Sequence, residues 1–180
     1  MRLNRLASLF VLVLGIVTMS NGGIGGGAQA QSADASQDLE NTLYLDLEAG
    51  RVVIKLRPDL APKHVERIKE LTREGFYDGL TFHRVIEGGS GQKLPAEFSN
   101  ENHVRGTVSM ARSSNPNSAD SQFFIVFADA PHLDGQYTIW GQVVSGMEYV
   151  DGLKKGAPWA NGRVADPDHI VKMQVAADAQ

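Results

Sequence analysis

The 180-residue sequence contains no cysteine, which excludes disulfides, zinc–thiolate sites, iron–sulfur clusters and thiol nucleophiles. It also lacks a basic block, because 17 Lys and Arg face 21 Asp and Glu, giving a formal net charge of −4. This balance argues against nucleic acid as the main partner. Apolar residues make up 42% of the chain, which is enough to fill a core, and the length fits one domain plus an extension.

Sequence motifs of several enzyme classes are also missing. The chain has no GxSxG, no P-loop, no GxGxxG after a strand and no HExxH, so it offers no activated nucleophile or phosphate cradle. The five histidines are scattered, without an i, i+4 pair, and surface or core-edge roles are favoured over metal binding. These histidines are His64, His83, His103, His132 and His169.

Residues 1–30 have the three parts of a secretory signal peptide. Met1–Arg5 carries two arginines, Leu6–Met19 is apolar and uncharged, and the small, Gly-rich exit ends in Ala28-Gln29-Ala30. Because the apolar stretch is short for a spanning helix, the pattern predicts cleavage after Ala30 and export. We therefore expect a periplasmic protein with no membrane attachment in its mature form. Residues 31–41 are polar and predict a disordered linker.

Residues 42–177 predict one mainly β domain, followed by a tail over 178–180. Apolar residues alternate in Thr42–Glu48 and in Val52–Leu56, a pattern typical of a hairpin with one buried face. Pro62 suits the first turn of a helix that ends near Gly75. Further strands are predicted at Thr81–Ile86, Thr107–Arg112, Gln122–Phe127, Tyr137–Val144 and Ile170–Val175, with a short helix from Met147 to Leu153. This pattern favours a closed antiparallel β-barrel capped by two α-helices.

Two polar side chains stand out in apolar surroundings. Arg84 shares a strand face with Phe82 and Ile86, although taken alone a solvated arginine is the simpler interpretation, because burying the charge is costly. Gln122 opens an otherwise apolar strand beside Phe124. A long donor, an amide and an aromatic ring are the groups that line a mostly apolar groove for a small ligand or a peptide. The residues by themselves lead no further.

At these residues the sequence resembles the cyclophilins, the peptidyl-prolyl cis/trans isomerases. The resemblance covers about residues 42–176 and implies an eight-stranded barrel with two helices. The matching segments, in family order, are Phe82-His83-Arg84-Val85-Ile86, Ala96-Glu97-Phe98-Ser99-Asn100-Glu101, Arg105-Gly106-Thr107-Val108-Ser109-Met110-Ala111-Arg112, Asp120-Ser121-Gln122-Phe123-Phe124-Ile125 and Leu133-Asp134-Gly135-Gln136-Tyr137-Thr138.

The resemblance implies an enzyme that rotates X–Pro peptide bonds and assists protein folding, with Arg84 and Gln122 as catalytic residues. It also implies a substrate-binding set made of His83, Ile86, Ala111, Arg112, Phe124, His132, Leu133 and Tyr137. His132 and Tyr137 differ from the residues that many members carry there, so strong cyclosporin binding is not expected. The family implies no metal and no cofactor, a monomer, and proline-containing polypeptides as partners.

One segment departs from the family pattern. In cyclophilins the FHRVI motif is followed by a G-F-M-x-Q-G-G-D strand, whereas here Ile86-Glu87-Gly88 runs directly into Gly89-Ser90-Gly91. That strand normally supplies a Phe and a Met against proline and a Gln beside the Arg. Two alternatives therefore stay open: a proline-peptide-binding or holdase module with little catalysis, and a structural domain whose barrel is open.

Overall fold

The computed structural model describes residues 38–82, 91–156 and 164–179. The predicted signal peptide and residues 31–37 of the predicted linker lie outside these ranges. Within them, no helix is long and apolar enough to cross a lipid bilayer.

The first two strands form the predicted hairpin. Strand β1 (Thr42–Leu47) pairs antiparallel with β2 (Gly50–Leu56). Leu45 lies opposite Val52, and both are completely buried. Alternate residues of a strand point to opposite faces, so one face of the hairpin builds one side of the core, with Leu43, Leu45, Leu47, Val52, Ile54 and Leu56 buried. The alternating pattern in the sequence is thereby confirmed.

Four more strands complete a single sheet. They are β3 (Thr107–Met110), β4 (Phe123–Ile125), β5 (Ile139–Ser145) and β6 (Ile170–Val175). The sheet order is β4-β3-β5-β2-β1-β6, and every neighbouring pair is antiparallel. The mainly β architecture is confirmed. The described residues supply six strands, with β4 and β6 at the two ends of the sheet, so the closed eight-stranded barrel stays a prediction.

Strand β5 contains a bulge next to Gly141. Val108 pairs with Gly141 while Ser109 pairs with Ile139, so Trp140 is an extra residue in β5. A Cβ atom on Gly141 would lie 2.8 Å from Cγ2 of Ile54. The glycine therefore lets β2 approach β5 closely while Trp140 is turned into the core, where it is fully buried.

Helix α1 (Pro62–Arg73) packs its apolar face on the sheet. Val65, Ile68 and Leu71 are buried at helical spacing. Pro62 begins the helix, as predicted, and Gly75 follows its end with a φ of 69°. A second, five-residue helix, α2 (Met147–Asp151), follows β5.

The start of α1 is capped by a residue distant in sequence. Ala61 provides no side-chain cap. Instead, the Glu97 carboxylate accepts the backbone N–H of Lys63 at 3.2 Å and of His64 at 3.1 Å. The same carboxylate lies 2.6 Å from Nδ1 of His64, whose side chain is completely buried. One acid thus satisfies helix N–H groups that no local cap serves.

The two ends of the described domain meet at the end of α1. Arg73 binds the Glu40 carboxylate through Nη2 at 3.0 Å and the Asp178 carboxylate through Nε at 2.8 Å. Strands β1 and β6 are also neighbours in the sheet, with Leu43 opposite Val175. Residues before β1 and after β6 therefore share one guanidinium.

Candidate functional site

The pairing of β3 with β4 brings several predicted site residues together. Ser109 lies opposite Phe124, and Met110 lies opposite Phe123. Just beyond this ladder, the Ala111 backbone N–H donates to the Gln122 carbonyl at 2.8 Å. Ala111, Gln122 and Phe124 are thus adjacent on one sheet edge, although Ala111 is far from the other two in sequence.

Strand β4 separates a core face from a face available to a ligand. The Phe123 ring packs edge-on against Trp140 and Tyr77, with centroids 5.4 and 5.7 Å apart. Phe124 points the other way and is only partly buried. Phe124 and Tyr137 are both only partly buried, so this face is partly open.

The rings of Phe124 and Tyr137 form one apolar wall. Their centroids are 5.6 Å apart and the rings are nearly perpendicular, at 85°. The Arg112 guanidinium lies over Tyr137, 4.5 Å from its centroid, a distance typical of a cation–π contact. Arg112 donates to the Gln136 carbonyl through Nε and Nη2, at 3.0 and 2.9 Å. These bonds hold the positive charge flat beside the aromatic wall.

A short turn carries the next two predicted residues. Pro131–Leu133 is a single 3-10 turn in which His132 is exposed and Leu133 is partly buried. The His132 carbonyl accepts the side-chain amide of Gln136 at 2.9 Å. This bond ties the turn to Gln136, whose backbone carbonyl also accepts the bonds from Arg112. His132, Leu133 and Arg112 are therefore linked by hydrogen bonds through Gln136, and Tyr137 joins them through its cation–π contact with Arg112.

A buried histidine lies behind Phe124. The His103 ring is stacked on Phe124 at an angle of 16°, with centroids 6.4 Å apart. Its Nδ1 lies 3.0 Å from Oδ1 of Asp134 and its Nε2 lies 2.9 Å from Oγ of Ser109. The His103 backbone N–H also donates to Asp134 at 2.7 Å. This bond is the main reason that the pKa of Asp134 lies below its ordinary value, with the ring contact adding to it.

A tyrosine supports the segment just before Gln122. The Tyr77 hydroxyl donates to the Ser121 carbonyl at 2.9 Å, and the side chain is buried. Burial strongly raises the pKa of Tyr77, which keeps the hydroxyl protonated as a donor. The Ser121 carbonyl is therefore fixed one residue before the predicted catalytic amide.

Three predicted site residues, His83, Arg84 and Ile86, lie outside the described residues, but the ends of their segment are defined. The Phe82 backbone N–H donates to the Asp168 carbonyl at 2.8 Å. On the return side, the Gly91 N–H donates to the Asp120 carboxylate at 2.8 Å. Asp120 lies two residues before Gln122, so Gly91 is held close to the Gln122 end of β4.

The sequence analysis missed the supporting residues. His103 and Asp134 are 31 positions apart, and Tyr77 and Ser121 are 44 apart. No periodicity links such pairs, and a histidine beside ordinary polar residues gives no sign of burial. No group of three or more His, Asp or Glu side chains suited to a metal ion occurs in the part of the chain that is described.

The sheet and the aromatic wall define a cyclophilin-like β domain, and comparison with known proteins identifies the family. The family model "Cyclophilin type peptidyl-prolyl cis-trans isomerase/CLD" matches residues 42–175. The chain belongs to this family. A probable peptidyl-prolyl cis-trans isomerase from Brucella suis is 52% identical over 176 residues, covering 83% of this chain and 89% of that protein. Peptidyl-prolyl cis-trans isomerase B from Bacillus subtilis is 39% identical over 132 residues, covering 64% and 92% of the two chains.

Solved structures agree on the fold. The cyclophilin AquaCyp293 from Hirschia baltica superposes with a TM-score of 0.71 at 22% identity, covering 87% of this chain and 83% of the other. A Cryptosporidium parvum cyclophilin type isomerase, crystallised in the presence of the dipeptide Ala-Pro, gives a TM-score of 0.64 at 23% identity, covering 74% and 98%.

Proposed function

We propose that this chain accelerates cis/trans rotation of X–Pro bonds in polypeptides, with Arg84 and Gln122 as its catalytic residues. The observation that carries the proposal is the partly open wall of Phe124 and Tyr137 beside Gln122. An apolar wall next to a polar amide suits a prolyl ring flanked by peptide carbonyl and amide groups. The Cryptosporidium parvum structure was determined with Ala-Pro present, which supports a proline-containing peptide as the ligand of this fold.

The chemistry follows from the amide bond. Resonance sets a rotation barrier of about 18–20 kcal/mol, so uncatalysed X–Pro exchange takes tens of seconds or longer. Rotation breaks the resonance and leaves a lone pair on the prolyl nitrogen. A donor aimed at that nitrogen binds the twisted bond more strongly than the planar one. Only such differential binding lowers the barrier.

Arg84 is the proposed donor. A guanidinium stays charged at any working pH and presents five N–H groups in a rigid fork. In this proposal Gln122 holds the substrate backbone, Phe124 and Leu133 contact the prolyl ring, and Ala111 and Arg112 line the groove for the flanking peptide. His83 and Ile86 complete the floor, and His132 and Tyr137 the rim. The proposed step moves no atom or electron pair between molecules, so it requires no metal or cofactor.

We also propose that the strand after the FHRVI motif is absent from this chain. The alignment with the Brucella suis relative has 176 positions, but it covers only 83% of this 180-residue chain. The alignment therefore contains gaps on the side of this chain, which is what a missing segment produces. In this proposal Arg84 lacks the Gln that orients it in other members and proline lacks two apolar contacts. We therefore expect catalysis weaker than that of the Brucella suis relative under the same conditions.

The test is a protease-coupled assay on a peptide with one X–Pro bond, supported by NMR exchange on the same peptide. Arg84→Ala should lower kcat/KM by about 10²–10³-fold, the usual effect of removing one donor that acts in the transition state. Arg84→Lys should restore little, because an ammonium lacks the planar fork. Arg51→Ala is the matched control, since Arg51 pairs with Asp46 on the exposed hairpin, and its kcat/KM should equal that of the unaltered chain.

Rates unchanged by Arg84→Ala would refute the catalytic role of Arg84. Peptide binding without measurable rotation would instead identify a proline-peptide-binding or holdase module. Neither binding nor rotation would leave a structural domain of the same fold.

We further propose that the chain is exported to the periplasm, that the signal peptide 1–30 is removed after Ala30, and that the mature protein is a monomer without membrane attachment. The charged, apolar and small-residue parts of residues 1–30 support export and cleavage, and the monomer is what the family resemblance implies. Osmotic-shock fractionation of a Gram-negative host, with mass spectrometry of the released protein, tests it. A mature N-terminus at Gln31 is expected, and full-length protein in the cytoplasmic fraction would contradict it.

A further inference from the structure

Both ring nitrogens of His103 have hydrogen-bond partners within the domain. Its side chain is completely buried. The Asp134 carboxylate accepts the His103 backbone N–H and faces Nδ1, so Nδ1 carries a hydrogen and donates it. On the other side, Nε2 faces the Ser109 hydroxyl, which also lies 3.1 Å from the Thr138 carbonyl. Turning the ring would break both contacts, so its plane is fixed.

This fixed plane is the one on which Phe124 stacks. The two rings are 16° from parallel, and Ser109, the Nε2 partner, lies opposite Phe124 in the β3–β4 ladder. On the Nδ1 side, Asp134 directly follows Leu133. A backbone bond also joins His103 to this turn, because the N–H of Ala130, which directly precedes Pro131, donates to the His103 carbonyl at 2.8 Å. One imidazole therefore contacts the back of the aromatic wall and the turn beside it.

We propose that His103, held by Asp134, is a positioning residue that sets the shape of the proline pocket. This inference rests on the proposed function. His103 contacts Phe124 from the buried side and does not reach the reacting bond, so it acts on substrate binding. Its loss should raise KM for an X–Pro peptide by about two- to tenfold, the range expected from one aromatic contact. The effect on kcat should be smaller, because Arg84 supplies the donor.

The chain contains a matched control for the structural cost. His64 is also completely buried, and its Nδ1 and backbone N–H also meet one carboxylate, that of Glu97. His64 lies in α1 and has no aromatic stacking partner among the described residues. His64→Asn and His103→Asn thus make the same chemical change, but only the second removes a ring from behind Phe124.

The experiment measures KM and kcat of the full chain and both variants with one X–Pro peptide, and the peptide Kd by NMR titration. We expect His103→Asn to raise KM and Kd together, while His64→Asn leaves both unchanged at a similar loss of stability. His103→Phe, which restores a ring without its polar atoms, should recover part of the Kd. If His103→Asn does not fold, Asp134→Asn tests the same link and should also raise KM.

Equal KM values for His103→Asn and His64→Asn would overturn the inference, as would a fall in kcat alone. An unchanged KM in Asp134→Asn would do the same when that variant is needed. If the unaltered chain neither binds the peptide nor rotates its X–Pro bond, the proposed function is refuted, and this inference is refuted as well. An active unaltered chain with unaffected variants overturns the positioning role only.

Discussion

Removing the Glu97 carboxylate should destabilise the domain through the start of α1. In Glu97→Ala, the N–H groups of Lys63 and His64 lose their acceptor, and so does Nδ1 of the buried His64 ring. Loss of a helix cap costs about 0.5–2 kcal/mol. Leaving a buried donor unsatisfied costs about 1–3 kcal/mol. Because the contributions share one acid and overlap, we expect a total of about 2–4 kcal/mol.

Glu97→Gln should cost less, about 1–2 kcal/mol, because it keeps one acceptor oxygen but loses the charge. Urea unfolding followed by circular dichroism gives both values when the slope is unchanged. A cost below about 0.5 kcal/mol for Glu97→Ala would contradict the reasoning, because that is the lower limit for a cap alone.

The pH dependence gives a second check on Glu97. Burial acts to raise the pKa of this carboxyl, but the hydrogen bonds from His64 and Lys63 outweigh it, so the pKa lies below its ordinary 4.5. A lowered folded-state pKa stabilises the fold above the ordinary value, and this contribution is lost as pH falls through the folded value. The advantage of Glu97 over Gln should therefore shrink below pH 4.5. An advantage that grows in acid would refute the assignment.

Two further substitutions test the supports of the site and the sheet. Tyr77→Phe removes the donor to the Ser121 carbonyl and should lower the free energy of unfolding in urea by about 1–2 kcal/mol. Because Gln122 directly follows Ser121, KM in the peptide assay should also rise. An unchanged KM would show that Tyr77 does not support the site. Gly141→Ala places a methyl group 2.8 Å from Ile54 Cγ2 and should lower stability by about 1–3 kcal/mol; no change in the melting temperature would show that the strands relax freely.

Local patterns predicted the elements whose burial is decided within one strand or helix. The alternation in β1 and β2 and the helical spacing of Val65, Ile68 and Leu71 each describe one apolar face, and each face is buried. Strand β4 was harder, because the residues from Phe123 to Phe127 are all apolar and no alternation is visible in the sequence. Only the ladder and the ring contacts show that Phe123 packs on Trp140 while Phe124 lies on the opposite face, against Tyr137 and His103.

The site was predictable only as far as its motifs reach. The motif containing Gln122 and Phe124 and the motif containing Leu133 and Tyr137 come from separate parts of the sequence, and the structure brings Phe124 and Tyr137 into ring contact. His103 has no such signal. Its role depends on Asp134, whose position follows from chain folding and not from spacing along an element.

The meeting of both domain ends at Arg73 has a practical meaning for rearranging the chain. Glu40 and Asp178 bind the same guanidinium, so a short Gly/Ser bridge is long enough to join them without disturbing β1 or β6. New termini opened at an exposed loop would then leave every strand pairing in place, as circular permutation requires. The same geometry means that cargo fused before β1 and cargo fused after β6 would emerge side by side.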